Sequence, residues 1–228
     1  MPKLSITMPT YNEEEIIQQV VADLQTCFNR NELDYELVIV NNGSKDNTLN
    51  ILEELNKKDS RIRYINIEHN QGYGWGIING LKNCHGEIIG YIDGDNQIEP
   101  EDIVTLYRII QEKKGQFIKG IRKSRKDGIL RIIESLCYNS LFKFIFFTNI
   151  SDINAKPKMF TKTFYQKLNL ESKDWFVDAE IVIKSIKMGI KPLEHQVKFN
   201  ERKKGKSNVK LNTTLEFIKN LIIWRLKK

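Results

Sequence analysis

The chain has 228 residues, 40% of them hydrophobic and 29% charged, and carries a formal net charge of +7 with pI ≈ 9.1. That length supports one sizeable core, and only 5 Pro and 13 Gly argue against a disordered or fibrous chain. The basic balance suits an anionic partner, whether phosphorylated substrate, acidic membrane surface or nucleic acid.

Cys27, Cys84 and Cys137 are scattered. They suggest neither a disulfide framework nor a zinc site, and they favour a reducing compartment. The start, MPKLSITMPTYNEEE, shows no basic-then-apolar leader. The nearest candidate for a membrane span, LFKFIFF at Leu141–Phe147, is short and contains Lys143.

In chain order, KLSITM (Lys3–Met8) predicts a short strand that Pro9 ends. Ile16, Ile17, Val20, Val21, Leu24 and Phe28 recur at helical spacing. YELVIV (Tyr35–Val40) predicts a buried strand, NNGS a turn with Ser44 as candidate cap, and KDNTLNILEELNKK a helix. RIRYINI reads as the third strand, GYGWGIINGLKNC as a glycine-rich helix start and GEIIGYID as the fourth strand. Pro100 opens the helix PEDIVTLYRIIQEK, and QFIKGI reads as a fifth strand.

The second half is less regular. Residues 121–135 are basic and 128–150 read as amphipathic or strongly apolar helix. DWFVDAEIVIKSIKMG is a helix stopped by Gly189, and KPLEHQVKFNERKKGKSN an extended segment entering a basic loop. NTTLEFIKNLIIWRLKK is a C-terminal helix. Its apolar body and basic end fit an interfacial helix, a partner-binding helix or one docked on the core. Phe142, Phe144, Phe146 and Phe147 cannot all share one helical face, so some are predicted to meet lipid or a partner.

Strands alternating with helices predict an α/β fold with a mostly parallel central sheet covered on both faces. In such sheets ligands bind at the carboxyl ends of strands. The polar stretches PTYNEEE, NNGSKDNT, NQGYG and DGDNQ follow the first four strands in turn. In DGDNQ, Gly94 permits a tight bend, and Asp93, Asp95 and Gln97 offer oxygens of the kind that Mg²⁺ or Mn²⁺ takes together with substrate phosphates. The bland reading is a polar turn with an N-cap.

The other stretches also have two readings. Asn12 is a candidate helix cap before an acidic first turn, while Glu13 stands exposed at the strand end. Asn42 suits a base or ribose but also an Asx-type turn. NQGYGWG resembles a phosphate cradle only loosely, since glycine-rich helix starts often serve packing. Trp75 and Trp175 default to core packing, with stacking on sugar or base as the functional reading. His69, His85 and His195 show no metal spacing.

The segments PTYNEEE, VNNGSKDNT, NQGYGWGIINGLKNCHGEIIGYIDGDNQ, GIRKSRKDGILRIIESLCYN, DINAKPKMF, DWFVDAEIVIKSIKMG and VKFNERKKGKSNV, in this order, cover nearly the whole chain. Together they resemble family 2 glycosyltransferases with the GT-A fold, and among them the dolichyl-phosphate mannose synthase-like group that glycosylates polyprenyl phosphates. The resemblance implies a nucleotide-sugar donor contacted by Pro9, Tyr11, Glu13 and Asn42. It implies Mg²⁺ or Mn²⁺ and the donor diphosphate at Asp93, Asp95 and Gln97. It places an acceptor phosphate at Arg122, Arg131 and Ser135, an acidic helix start facing the sugar at Asp178 and Glu180, and a basic loop closing over the donor at Arg202, Lys206 and Ser207. Asp95, Arg131 and Asp178 are the expected catalytic residues.

Two departures stand out. Asn41-Asn42 occupies a position where the family often has two aspartates, which removes charge and adds donors. A transmembrane segment found in many relatives is not seen in the sequence. Membrane access is then expected from interfacial helices, a membrane-anchoring partner or a homo-oligomer, on the cytoplasmic face. The expected organisation is a GT-A domain over residues 1–210 and an amphipathic helix over 211–228.

Rival readings stay open. Another family 2 enzyme would act on a glycan, protein or small molecule, with Asp178 as base. A scaffold or a basic nucleic-acid-binding module is the alternative of another class, although carboxylates crowd the strand ends and would repel nucleic acid.

Overall fold

The computed structural model describes residues 1–123, 129–201 and 211–227. The elements in chain order are β1 (Leu4–Thr10), α1 (Ile17–Arg30), β2 (Tyr35–Asn42), α2 (Thr48–Lys58), β3 (Ile62–Ile67), α3 (Tyr73–Lys82), β4 (Ile88–Tyr91) and α4 (Pro100–Glu112). They continue with β5 (Phe117–Lys123), α5 (Ile129–Phe146), β6 (Lys158–Thr161), α6 (Lys162–Leu168), α7 (Val177–Lys187), β7 (Leu193–Lys198) and α8 (Leu211–Leu226).

The seven strands form one sheet in the order β3-β2-β1-β4-β6-β5-β7. All pairings are parallel except those of β6, which runs antiparallel to β4 and β5. The predicted α/β architecture is the one observed. The sequence reading did not anticipate β6 and α6. β6 is four residues long and sits mid-sheet, too short for a period to declare itself.

Alternation along β1 explains the two cores. Leu4, Ile6 and Met8 enter a layer shared with α1, α2 and α4. Thr7 faces the other layer, where Gly80 of α3 comes so close that a Cβ there would lie 1.9 Å from Thr7 Oγ1. The Thr7 hydroxyl donates to the Val38 carbonyl (2.6 Å), so its polar atom is satisfied inside the sheet. That second layer holds α3, α5, α6 and α7 and takes Leu221 and Trp224 from α8.

The C-terminal helix is therefore docked along one side, with the Phe176 and Trp224 rings 6.0 Å apart. Its other side exposes Ile222, Ile223 and Leu226. In α5, Phe142 and Phe146 are buried and Phe144 is 76% exposed, while Phe147, just past the helix at φ +49, is 80% exposed. The four rings divide between core and surface as their spacing predicted. Among the described residues no helix is long and apolar enough to cross a membrane.

Some cap assignments differ from expectation. Ile16 and Asn47 are the N-caps of α1 and α2, and neither makes a side-chain cap bond. Asn12 and Ser44 instead bond each other's loops, because a second loop lies within reach. Pro100 opens α4 as predicted, and Gly189 just beyond α7 has φ +70.

Gly80→Ala tests the α3–β1 contact. Alanine raises helix propensity by about 1 kcal/mol, but overpacking against Thr7 costs about 1–3 kcal/mol. A net loss of stability in urea denaturation is expected; a gain would show that the helix shifts freely.

Candidate active site

The site is built at the carboxyl ends of β1, β2 and β4, where parallel strands leave polar loops. Five hydrogen bonds lace the first two loops. The Asn12 N–H donates to Ser44 Oγ (3.0 Å), Glu13 N–H to Thr48 Oγ1 (3.0 Å) and Glu14 N–H to Asp46 Oδ2 (3.1 Å). In return Lys45 N–H donates to Asn12 Oδ1 (2.8 Å) and Asn47 N–H to Glu14 Oε2 (2.8 Å). Pro9 and Tyr11 are half-buried beside this lacing.

Asn42 is buried and turned toward the next loop. Its Nδ2 donates to the Gly72 carbonyl (2.9 Å), and Asn41 Nδ2 donates to Asn66 Oδ1 (2.7 Å). The two asparagines thus spend donors that aspartates would lack on fastening the ends of β2 and β3.

The glycines of NQGYGWG serve close packing. Gly72 has φ +107, and a Cβ on it would lie 2.4 Å from the Lys173 carbonyl oxygen. The Trp75 N–H donates to that same oxygen (3.0 Å). This contact brings Tyr73 onto Trp175, with ring centroids 4.2 Å apart and planes 14° from parallel.

The loop after β4 carries Asp93, Asp95 and Gln97. Asp95 is buried, and its Oδ1 accepts the Gln97 N–H (3.2 Å). Gln97 Nε2 donates to the Asn200 carbonyl (2.8 Å), and Asn200 N–H donates to Gln97 O (2.9 Å). The DGDNQ loop is thereby fastened to the residue two positions before Arg202. Arg202, Lys206 and Ser207 lie outside the described residues, as does the side chain of Arg131.

Asp93 meets residues that sequence reasoning did not single out. Its carboxylate accepts a short hydrogen bond from Tyr73 OH and pairs with Lys156 Nζ (3.3 Å). Lys156 also pairs with Asp178 Oδ2 (3.1 Å). Asp178 is 2% exposed, takes a hydrogen bond from Tyr91 OH (2.6 Å) and contacts the fully buried Lys158. Burial works to raise the Asp178 carboxyl, but Lys156, Lys158 and Tyr91 outweigh it and hold it below the ordinary value. Burial pulls Lys156 down, yet Asp178 and Asp93 hold it above the usual lysine value. Burial pushes Lys158 down to about 8, against the attraction of Asp178. Glu180, in the same first turn, accepts the Glu171 and Ser172 N–H groups (2.9 and 2.8 Å) and shapes the loop before Trp175.

The missed signal lay in NAKPKMF: a lysine inside an apolar run bordering a buried strand asks for a carboxylate. Its partner, Asp178, is 20 residues away.

On the other side of β6, Arg122 makes a bidentate pair with Asp152: Nε to Oδ2 at 2.9 Å and Nη2 to Oδ1 at 2.6 Å. Ser135 Oγ accepts from Asn139 Nδ2 (3.2 Å), and Asn139 Oδ1 accepts the Ile153 N–H (2.8 Å). Arg122 and Ser135 thus converge on the segment 152–157 that leads to Lys156, although they arrive from β5 and α5.

Among the described residues no group of three or more His, Cys, Asp or Glu has a metal-holding arrangement. A Mg²⁺-like ion needs few protein oxygens when substrate phosphates and water complete its shell. Asp95 and Gln97 fit that role. Asp93 is paired with Lys156.

The profile of Glycosyl transferase family 2 matches residues 5–172, and the chain belongs to this family. It is 27% identical over 225 residues to a dodecaprenyl-phosphate galacturonate synthase of Rhizobium johnstonii, covering 96% of this chain and 65% of that one. It is 24% identical to a dolichyl-phosphate beta-glucosyltransferase of Trichomonas vaginalis, covering 98% and 74%. It is 32% identical over 141 residues to an undecaprenyl-phosphate 4-deoxy-4-formamido-L-arabinose transferase of Proteus mirabilis, covering 61% and 43%. The chain thus spans from under half to about three quarters of these relatives. The fold is that of glucosyl-3-phosphoglycerate synthase from Mycobacterium tuberculosis, solved with Mn²⁺, UDP and phosphoglyceric acid: TM-score 0.74, 18% identity, 99% of this chain and 79% of that one.

The Arg122–Asp152 pair makes a pH-dependent prediction. Burial opposes ionisation of Asp152, but Arg122 brings its carboxyl down from 3.8 to about 2. A depressed folded value gives stability that is present above the unfolded value and lost as pH falls through the folded one. Asp152→Asn keeps a residue that tolerates the φ of +43 found here. It is expected to cost about 2 kcal/mol at pH 7. The gap from the native chain should close between pH 4 and 2 in a Tm series; a gap independent of pH would sink the assignment.

Proposed function

We propose that the protein is an inverting glycosyltransferase that moves one sugar from a UDP- or GDP-linked donor to a polyprenyl phosphate. The observation that carries this reading is the state of Asp178. A hydroxyl acceptor needs a base, and the carboxylate in position to serve is sealed under Lys156, Lys158 and Tyr91 with its pKa depressed. A phosphate acceptor arrives ionised and needs no such base. Relatives named for dodecaprenyl, undecaprenyl and dolichyl phosphate acceptors support the same choice.

In this reading the laced loops after β1 and β2 hold the nucleotide. Asp95 and Gln97, with Asp93, would hold Mg²⁺ or Mn²⁺ against the donor diphosphate. When bound, the ion would stabilise charge on the leaving nucleoside diphosphate. Arg131, with Ser135 and Arg122 near the 152–157 segment, would place the acceptor anion for in-line attack. Arg202 and Lys206 would close over the donor. A single displacement inverts the anomeric centre.

The lipid acceptor calls for membrane contact, and the exposed faces of α5 and α8 fit it. Ile133, Leu136, Phe144, Phe147, Ile222 and Leu226 are exposed there. Arg225 lies over the Phe147 ring at 5.4 Å. Apolar groups bordered by cations, on a chain of net charge +7, suit the cytoplasmic face of an anionic bilayer.

The test is to incubate purified protein with UDP-glucose, UDP-galactose, UDP-N-acetylglucosamine, UDP-galacturonate or GDP-mannose, a divalent ion and undecaprenyl or dolichyl phosphate, and to weigh the lipid product. A metal-dependent glycolipid is expected, with Asp95→Ala lowering its rate by about a hundredfold or more. Retention at the anomeric carbon, or transfer only to a glycan or peptide hydroxyl, would overturn the reading.

A further inference from the structure

Lys156 belongs neither to the metal motif nor to the acceptor arginines, yet it lies against the first carboxylate of DGDNQ. We propose that it governs metal loading: its ammonium competes with a divalent ion for Asp93, so the ion binds tightly only together with a nucleoside diphosphate. This rests on the metal-dependent nucleotide-sugar reading of the site and adds an order of binding to it.

The surroundings of Asp93 carry the inference. Both of its carboxylate oxygens face donors from the protein itself. Oδ1 accepts a short hydrogen bond from Tyr73 OH, and Oδ2 pairs with Lys156 Nζ at 3.3 Å. A divalent ion draws on the same oxygen lone pairs, so it meets two competitors there. Both competitors are held in place. The Tyr73 ring is stacked on Trp175, with centroids 4.2 Å apart. Lys156 is paired a second time, with Asp178 Oδ2 at 3.1 Å.

Charge works in the same direction. In this cluster two carboxylates, Asp93 and Asp178, face two ammonium groups, Lys156 and Lys158. The four together offer a cation no net negative charge. An ammonium fixed beside the carboxylate repels a divalent ion on that carboxylate, and in a partly buried site water screens the repulsion poorly. A nucleoside diphosphate reverses the balance. It brings negative charge, and its phosphate oxygens complete the shell of the ion.

Asp178 gives the ammonium a place to stay when Asp93 turns to an ion. The side chain of Asp178 is 2% exposed and that of Asp93 27%, so Asp93 is the carboxylate an incoming ligand reaches. Asp178 is held from behind by Tyr91 OH (2.6 Å) and by Lys158. The Tyr73 ring, its centroid 5.1 Å from Lys156 Nζ, adds a second contact that does not involve Asp93. Lys156 can therefore give up Asp93 without losing its own partners.

The test is Mn²⁺ titration of the full chain, read by electron paramagnetic resonance of the free ion, alone and with UDP or GDP. The native chain is expected to bind Mn²⁺ about tenfold or more tightly with its nucleotide than without it. Lys156→Met should tighten Mn²⁺ binding without nucleotide about tenfold and leave binding with nucleotide within about threefold of native, so that the coupling shrinks. Lys156→Arg, which keeps the charge, should stay near the native value. Tyr73→Phe keeps the ring and removes the other competitor; a gain of about threefold is expected, and it keeps the inference testable if Lys156→Met does not fold. On an Asp93→Asn background, Lys156→Met should bring no gain. Unchanged or weaker Mn²⁺ binding in Lys156→Met and Tyr73→Phe, a gain that survives Asp93→Asn, or native Mn²⁺ binding indifferent to nucleotide overturns the inference alone. A native chain that binds Mn²⁺ neither alone nor with a nucleotide overturns the metal-dependent donor reading and this inference with it.

Discussion

The arrangement depends on one constraint: charges buried between β6 and α7 must be paired. Lys158 and Asp178 lie almost wholly out of water, in contact with each other. Separating such a pair leaves an uncompensated charge in low dielectric, a loss of about 3–5 kcal/mol. The pair therefore fixes the start of α7 against the start of β6. Tyr91 joins it from β4 and Lys156 extends it to Asp93, so two neighbouring strands and a helix meet at one carboxylate. A buried salt bridge is a weak source of net stability. Its value here is register, since this placement of β6 brings both lysines onto Asp178.

β6 makes this possible by running against its neighbours. A wholly parallel sheet would bring only strand ends to the ligand edge. The antiparallel strand brings its beginning there, with the segment 152–157 ahead of it. Arg122 holds that segment through Asp152 from β5, and Asn139 holds it from α5. The Arg122–Asp152 pair and the Lys156–Asp178 pair are thus two ends of one short stretch of chain.

The second core layer links this edge to the outer surface. Phe142 and Phe146 of α5 and Leu221 and Trp224 of α8 enter the same cluster as Phe160 and Phe176. Burying those positions at helical spacing leaves Phe144 and Ile222 outside. An exposed apolar face is therefore a by-product of how the helices dock.

Local chemistry settled much of this protein in advance. The alternation of apolar runs at periods of 2 and 3.6 specifies the strands and helices of the first half, and Pro100 and Gly189 punctuate them. DGDNQ and PTYNEEE follow predicted strands, and the structure places both at the carboxyl ends of β4 and β1, on one edge of the sheet. Tertiary structure decided what periodicity cannot encode. It turned Asn12 and Ser44 from caps into loop laces and spent Asn42 on Gly72. It gave Arg122 to Asp152 and placed a four-residue antiparallel strand at the centre of the sheet. Above all it set Lys156 between Asp93 and Asp178. Each of these is a pairing of residues distant in sequence, and which charge answers which is known only once the sheet has brought them together.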